Sequence, residues 1–275
     1  MKSTSDPDHG EAFPSVRTPT LQGLRSLRFA AQELPALNAP RYRAIVALDI
    51  ERSTNRTDRV KAELRTKIYE LFHAALRSAG IHKRHRDRFI DRCDGMLALI
   101  HPVDQAPKVL LLNRAVPALN RFLTDYNSSL PRAGGPGRQL RVRVVVHAGE
   151  VHYDANGCFG EALDIAFRLL DAALVKRALR VGTDPLILVV SGEIYRSVVR
   201  HGYDGIDQHA FRPLVRVQVA GNHYRGWIRI PEEAVQHHVA EMANYPRPGL
   251  RRRGQAGLWR GGGSQAHIRM VPQPN

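Results

Sequence analysis

Four residues in two pairs carry the chemistry open to this 275-residue chain. Asp49 closes the short apolar run AIVALDI, and Asp94 belongs to the Asp94-Gly95 dipeptide that hinges RFIDRCDGMLALIHP. Two carboxylates at neighbouring strand ends suit Mg²⁺, which takes one or two carboxylates and fills its remaining positions with water and phosphate oxygens. An aspartate at a strand end also caps turns, and Asp-Gly is a hairpin signal in its own right, so each alone has a purely structural reading. Asp164 and Arg168 stand four apart in EALDIAFRLLDAALV. That spacing suits an intrahelical ion pair worth roughly 0.2–0.5 kcal/mol. The alternative is a guanidinium aimed at a phosphoryl group in transfer, where planar donors match developing charge.

The elements that must position these residues begin at Arg43. A short strand ending at Asp49 and Ile50 leads through the polar ERSTNRTD into a helix, read from Leu64, Ile68, Leu71, Phe72, Ala75 and Leu76 and stopped by Gly80. Two short strands hinged at Asp94-Gly95 come next, then a second helix from about Gln105 to Tyr126 that contains Pro107 and Pro117. LRVRVVVHAGEV is the strongest strand, with Arg141 and Arg143 alternating against valines. The turn YDANGCFG, the helix EALDIAFRLLDAALV, the strand LILVVS, the short helix GEIYRSVVRHG and the closing strands LVRVQVA and YRGWIRI follow. The order βαββαβ predicts an α+β fold: a ferredoxin-like antiparallel sheet with its helices on one face, extended by further C-terminal α/β elements. In such a sheet the strand end at Asp49 and the hinge at Asp94 are neighbours.

Composition narrows the rest. Hydrophobic residues at 43% and charged residues at 24% are those of a folded globular domain. The start MKSTSDPDHGEAFPS is polar, and no run reaches the roughly 18–20 apolar residues of a membrane span, which predicts a cytoplasmic protein. Cys93 and Cys158 are too few for a disulfide framework and lack metal spacing. The 41 Lys+Arg, 35 of them Arg, against 26 Asp+Glu leave a formal +15 that attracts polyanions. The chain is expected to divide into an N-terminal arm over residues 1–40, a domain over 41–232 and a basic tail over 233–275, with nucleic acid as one partner for the tail.

Three segments in this order resemble the catalytic domain of class III nucleotidyl cyclases, the adenylate and guanylate cyclase superfamily. ALDIERST resembles the first metal motif, RCDGMLALI the hairpin motif, and LRVRVVVHAGEV with GEALDIAFRLLDAA the strand and helix that complete the site. The resemblance implies that Asp49 and Asp94 are carboxylate ligands of Mg²⁺ or Mn²⁺, with the Ile50 carbonyl as a further ligand. It implies that Arg168 stabilises the transition state and Asp164 stands where an asparagine orients the ribose. Arg52, Ser53 and Thr54 fall on the phosphate-binding segment, and Ile90 and Gly157 on the two base-reading positions. A homodimer sharing two sites, a nucleoside triphosphate substrate and a 3′,5′-cyclic product are implied as well. The same resemblance without turnover describes a cyclase-like regulatory module.

This sequence departs from the family pattern at several of those positions. Arg52 replaces a glycine, Ile90 a base-reading lysine, and Ala220 a lysine that grips the terminal phosphates, for which Lys176, Arg177 or Arg216 are candidate substitutes. HKRHR at 82–86 and His237-His238 read as solvated surface, and His147 and His152 as structural or hydrogen-bonding residues near a strand end. Neither a Walker A loop, a Rossmann fingerprint nor HExxH occurs.

Overall fold

A computed structural model describes residues 39–131 and 136–230, all within the unit Met1–Pro231. The expected arm, except for its last two residues, the basic tail and His237-His238 lie outside the described residues. Strand β1 (Arg41–Ile50) leads to α1 (Asp58–Ser78), the hairpin β2 (Ile90–Asp91) and β3 (Gly95–Ile100), then α2 (Val116–Ser128) and the long β4 (Val142–Asp154). Four strands in the order β2-β3-β1-β4 are antiparallel throughout, which is the ferredoxin-like core. Strand β5 (Gly157–Phe159) folds back on β4, and α3 (Glu161–Asp171) and α4 (Ala173–Val181) follow. The sheet continues with β6 (Leu186–Ser191), α5 (Gly192–Ser197), β7 (Phe211–Val219) and β8 (Asn222–Arg229), in the full order β2-β3-β1-β4-β6-β8-β7. Strand β6 runs parallel to β4, so the sheet is mixed beyond the core.

Period-2 alternation divides the sheet residues between two layers. Ala44, Val46, Leu48 and Ile50 of β1, with Val142, Val144 and Val146 of β4, share one buried cluster with Leu64, Ile68, Phe72 and Leu119 of α1 and α2. The intervening residues Ile45, Ala47, Leu97 and Val145 are equally buried on the other face. Helix α3 covers that second face: a Cβ at Gly149 of β4 would lie 2.7 Å from the Ala162 Cβ, so glycine there permits the close approach. The helices therefore occupy both faces of the completed sheet, where the sequence order predicted one.

Three local differences from expectation have physical causes. Helix 161–175 is two helices, broken at Ala172 in extended backbone (φ −56°, ψ 135°). An unbroken helix would carry Lys176 and Arg177 round to the stripe of Leu169 and Leu170; the break lets Val175, Ala178 and Leu179 be buried instead. Pro117 cannot donate to the preceding turn, and a π-helical turn at Leu111–Ala115, with Val116 N donating to the Leu111 carbonyl, leaves the proline in the first turn of α2. The hairpin hinges one residue earlier than Asp94-Gly95. Arg92 and Gly95 exchange hydrogen bonds of 3.1 and 3.3 Å, so the two-residue turn is Cys93–Asp94, with Cys93 at φ 62°.

Candidate functional site

Gly95 brings the two aspartates together. It pairs directly with Asp49, and a Cβ there would run into the Leu48 carbonyl oxygen and lie 3.1 Å from Asp49 Cα. Only glycine lets β3 start this close to β1. Ile50 N then donates to the Asp94 carbonyl at 3.0 Å, fixing the turn against the end of β1. Ile50 itself is buried and pairs with Val142. The Asp94 carboxylate is half-buried, and no side-chain partner approaches it among the described residues.

Asp49 is differently placed. Its Cα partner on the other side is Arg143 of β4, and the two side chains form an ion pair, Arg143 Nη2 to Asp49 Oδ2. Both are largely buried, at 11% and 15% side-chain exposure, and Arg143 Nη2 also lies 3.8 Å from Asp171 at the end of α3. Burial pushes the Arg143 guanidinium below its usual range, with the Asp171 charge opposing that shift. Asp49 Oδ1 is buried with no hydrogen-bond partner. A buried carboxylate oxygen without a donor is costly unless something positive meets it.

Beside this pair lies a cavity of about 180 Å³ lined by Glu51, Arg52, Arg143, Lys176, Leu179 and Arg180. Glu51 is held by Arg141 at 3.0 Å, and Arg141 also donates to the Leu179 and Gly182 carbonyls, so the exit of β1 is stapled to the end of α4. Lys176 pairs with Asp171 at 2.9 Å. Arg52 and Arg180 are exposed and have no carboxylate partner among the described residues. Arg143 and Lys176 are thus compensated by Asp49 and Asp171, which leaves Arg52 and Arg180 as the unbalanced charges of the lining among the described residues. Arg52 precedes the 3₁₀ turn Ser53–Asn55 in the left-handed region (φ 55°, ψ 32°), a conformation that costs a non-glycine residue about 1–2 kcal/mol. Ser53 is buried and Thr54 exposed.

The remaining candidates are spread along the fold. Asp164 and Arg168 are exposed on α3 and do not pair with each other, so the intrahelical ion pair is absent. They lie about 10 and 5 Å along the helix from Asp171, and among the described residues no contact joins them to Asp49 or Asp94. The neighbouring Phe167 receives the Arg92 guanidinium of the hairpin at 4.1 Å, which ties α3 to the Cys93–Asp94 turn. Ile90 sits on the outer strand β2 opposite Leu97. Gly157 pairs with Asp154 at the far end of β4, roughly 35 Å along the strand from Arg143. Ala220 occupies the β7–β8 turn at φ 47° rather than a strand, and Arg216 is exposed on β7. Of the three candidate substitutes, Lys176 is the one that lines the cavity.

Arg143 and Arg180 were missed by sequence reasoning, and for Arg143 a signal existed. It alternates in phase with residues of the second buried face, where an arginine needs a carboxylate. His147 meets its expectation, with Nδ1 2.7 Å from Ser191 Oγ, and His152 stacks on Phe159.

No protein-family profile matches the chain, and no curated protein matches it in sequence. Similar solved structures include an adenylate/guanylate cyclase/hydrolase from Silicibacter pomeroyi (18% identity, 70% of this chain and 98% of that one, TM-score 0.48). The guanylyl cyclase Cya2 is similar at 14% identity over 71% of this chain and 95% of its own, with a TM-score of 0.47. The adenylyl cyclase CyaB from P. aeruginosa is similar at 11% identity over 70% and 96%, with a TM-score of 0.45.

Proposed function

We propose that this domain is a divergent nucleotidyl cyclase that closes a nucleoside triphosphate to a 3′,5′-cyclic nucleotide and pyrophosphate. The observation that carries the reading is the juxtaposition forced by Gly95: two aspartates at one sheet end, beside a cavity lined by Arg52, Lys176 and Arg180. Hard carboxylate oxygens, one of them buried without a partner, fit a divalent cation. Asp49 and Asp94 would hold Mg²⁺ or Mn²⁺, with the Ile50 carbonyl as a further donor. Such an ion lowers the pKa of a ribose hydroxyl and neutralises charge on the leaving phosphate.

The cavity cations bind and orient the β- and γ-phosphates. The ribose 3′-oxygen then forms a bond to the α-phosphorus, the bond from that phosphorus to the bridging oxygen breaks, pyrophosphate leaves with the electron pair, and the hydroxyl proton passes to solvent. Arg168, exposed and unpaired among the described residues, is available to a substrate held by a second copy of the chain, which supports a homodimer as the working unit. Asp164 stays free to accept a hydrogen bond from the ribose.

A second reading, a cyclase-like module without turnover, is supported by the Arg143 ion pair, which already neutralises Asp49, and by the bulk of Arg52 in the phosphate-facing turn. Incubation with ATP, GTP, CTP and UTP in Mg²⁺ and in Mn²⁺, with mass spectrometry of the products, separates the two. Asp94→Asn is the better control, since Asp94 has no side-chain partner among the described residues whose loss would disturb the fold. A cyclic product lost in that variant supports the enzyme; no product from folded dimeric protein rejects it in favour of the module.

A further inference from the structure

The HKRHR segment, expected to be a solvated basic face, is partly internal. The 3₁₀ turn Lys83–His85 buries His85 and Arg86 and folds the segment against the end of α1. There His73, Arg77, His82, Lys83 and Arg86, with Ile81, line a cavity of about 470 Å³. This is the size of a small-molecule site, and no carboxylate lines it among the described residues. Because α1 starts beside the Asp49 end of the sheet and rises roughly 30 Å over its length, the cavity belongs to the opposite end of the domain.

Its charges are unbalanced. Arg86 is only 7% exposed and donates to the Asp87 carbonyl at 3.0 Å and to His73 Nδ1 at 2.9 Å, while its guanidinium stacks 3.9 Å over Phe89. Its Nε is buried without an acceptor. The nearest carboxylate in sequence, Asp87, is committed elsewhere: it accepts from Tyr153 at 2.7 Å, His101 at 2.9 Å and Arg43 at 3.3 Å. Arg77 and Lys83 are exposed and have no carboxylate partner among the described residues. Burial and the charges of Arg86, Lys83 and Arg77 hold His73 below its ordinary range. The α1 C-terminus offsets some of this repulsion through its dipole, yet the concave wall of three permanent cations and two imidazoles faces no carboxylate among the described residues.

We infer that this cavity is a second anion site, taking a compact phosphate-bearing ligand between α1 and the HKRHR turn, separate from the cavity beside Asp49. Planar and ammonium donors converging from two elements match a phosphate dianion, whether the group is free phosphate or the terminal group of a phosphorylated small molecule. The concave shape favours such a ligand over a polymer backbone, which tracks a stripe.

The test is an NMR titration of the full chain, following the imidazole signals of His73 and His82. The probes are inorganic phosphate, pyrophosphate and a nucleoside monophosphate, and Lys176→Gln/Arg180→Gln serves as background to remove the other cavity. Saturable shifts of both rings with any probe are expected, and the probe that acts at lowest concentration identifies the source. Adding Arg77→Gln/Lys83→Gln, both exposed positions that leave the buried Arg86 in place, is expected to weaken binding by about tenfold or more. Rings unmoved by every probe at millimolar concentration, or shifts of equal affinity in the Arg77→Gln/Lys83→Gln protein, would overturn the inference.

Discussion

Arg143 and Asp49 face each other across the β1–β4 register and form an ion pair that is mostly buried, so the carboxylate proposed to bind metal is already neutralised within its own chain. Removing one partner of such a pair leaves the other charge uncompensated. Asp49→Ala is therefore expected to cost about 3 kcal/mol in urea unfolding. Arg143→Met in the same protein should recover at least about 1 kcal/mol of that loss through the coupling between the two sites. Additive losses would show that the pair is not the determinant of stability at this end of the sheet.

Gly95 is the backbone condition for the site. Gly95→Ala places a methyl group against the Leu48 carbonyl, a backbone atom that cannot swing aside. Separation of β3 from β1 should cost about 2–3 kcal/mol and weaken Mn²⁺ binding measured by electron paramagnetic resonance. A variant with unchanged unfolding midpoint and Mn²⁺ affinity would contradict the proposed geometry.

The cavity cations are separable from the fold. Among the described residues Arg180 is exposed and unpaired and Lys176 holds only the exposed Asp171, so their glutamine variants should shift stability by less than about 0.5 kcal/mol. Each is expected to lower the affinity for a non-hydrolysable triphosphate by about tenfold at low salt, and less as salt screens the charges. Calorimetric titration at two ionic strengths checks both the loss and its direction.

His147 makes a pH prediction. Burial on the α3 face pushes its imidazole down to about 4, against about 6.5 in an unfolded chain. The unfolded state therefore takes up the proton first on acidification. The stability associated with neutral His147 is complete above about pH 6.5 and is lost as pH falls toward 4, by about 3 kcal/mol in all. Unfolding free energies measured across that window should fall more steeply for the wild type than for His147→Gln. Parallel curves would mean that the ring takes up its proton as readily in the folded protein as in the unfolded chain.

Much of this protein was legible in local sequence. Short apolar runs marked β1 and β6, valines alternating with Arg141 and Arg143 marked β4, 3.6-residue spacing marked α1, and the order of these elements implied the ferredoxin-like core. Asp49 and Asp94 stood out because a strand end and a hairpin are local signals, and the topology then makes them neighbours. Even the break at Ala172 has a trace in the sequence, since Lys176 and Arg177 fall where an unbroken helix would need apolar residues.

What tertiary structure alone decided involves residues far apart in the chain. Local periodicity says that Arg143 alternates with valines; only the antiparallel register of β1 and β4 sets it opposite Asp49. The cavity beside that pair needs Arg52 from the β1 exit and Lys176 and Arg180 from α4, whose directions depend on the break after α3. In the same way HKRHR reads as surface until its turn packs on α1 and buries Arg86 against Phe89 and His73. Charge in a sequence is a sum over residues, but the field at a site depends on which side chains the fold brings together and which it leaves unpaired.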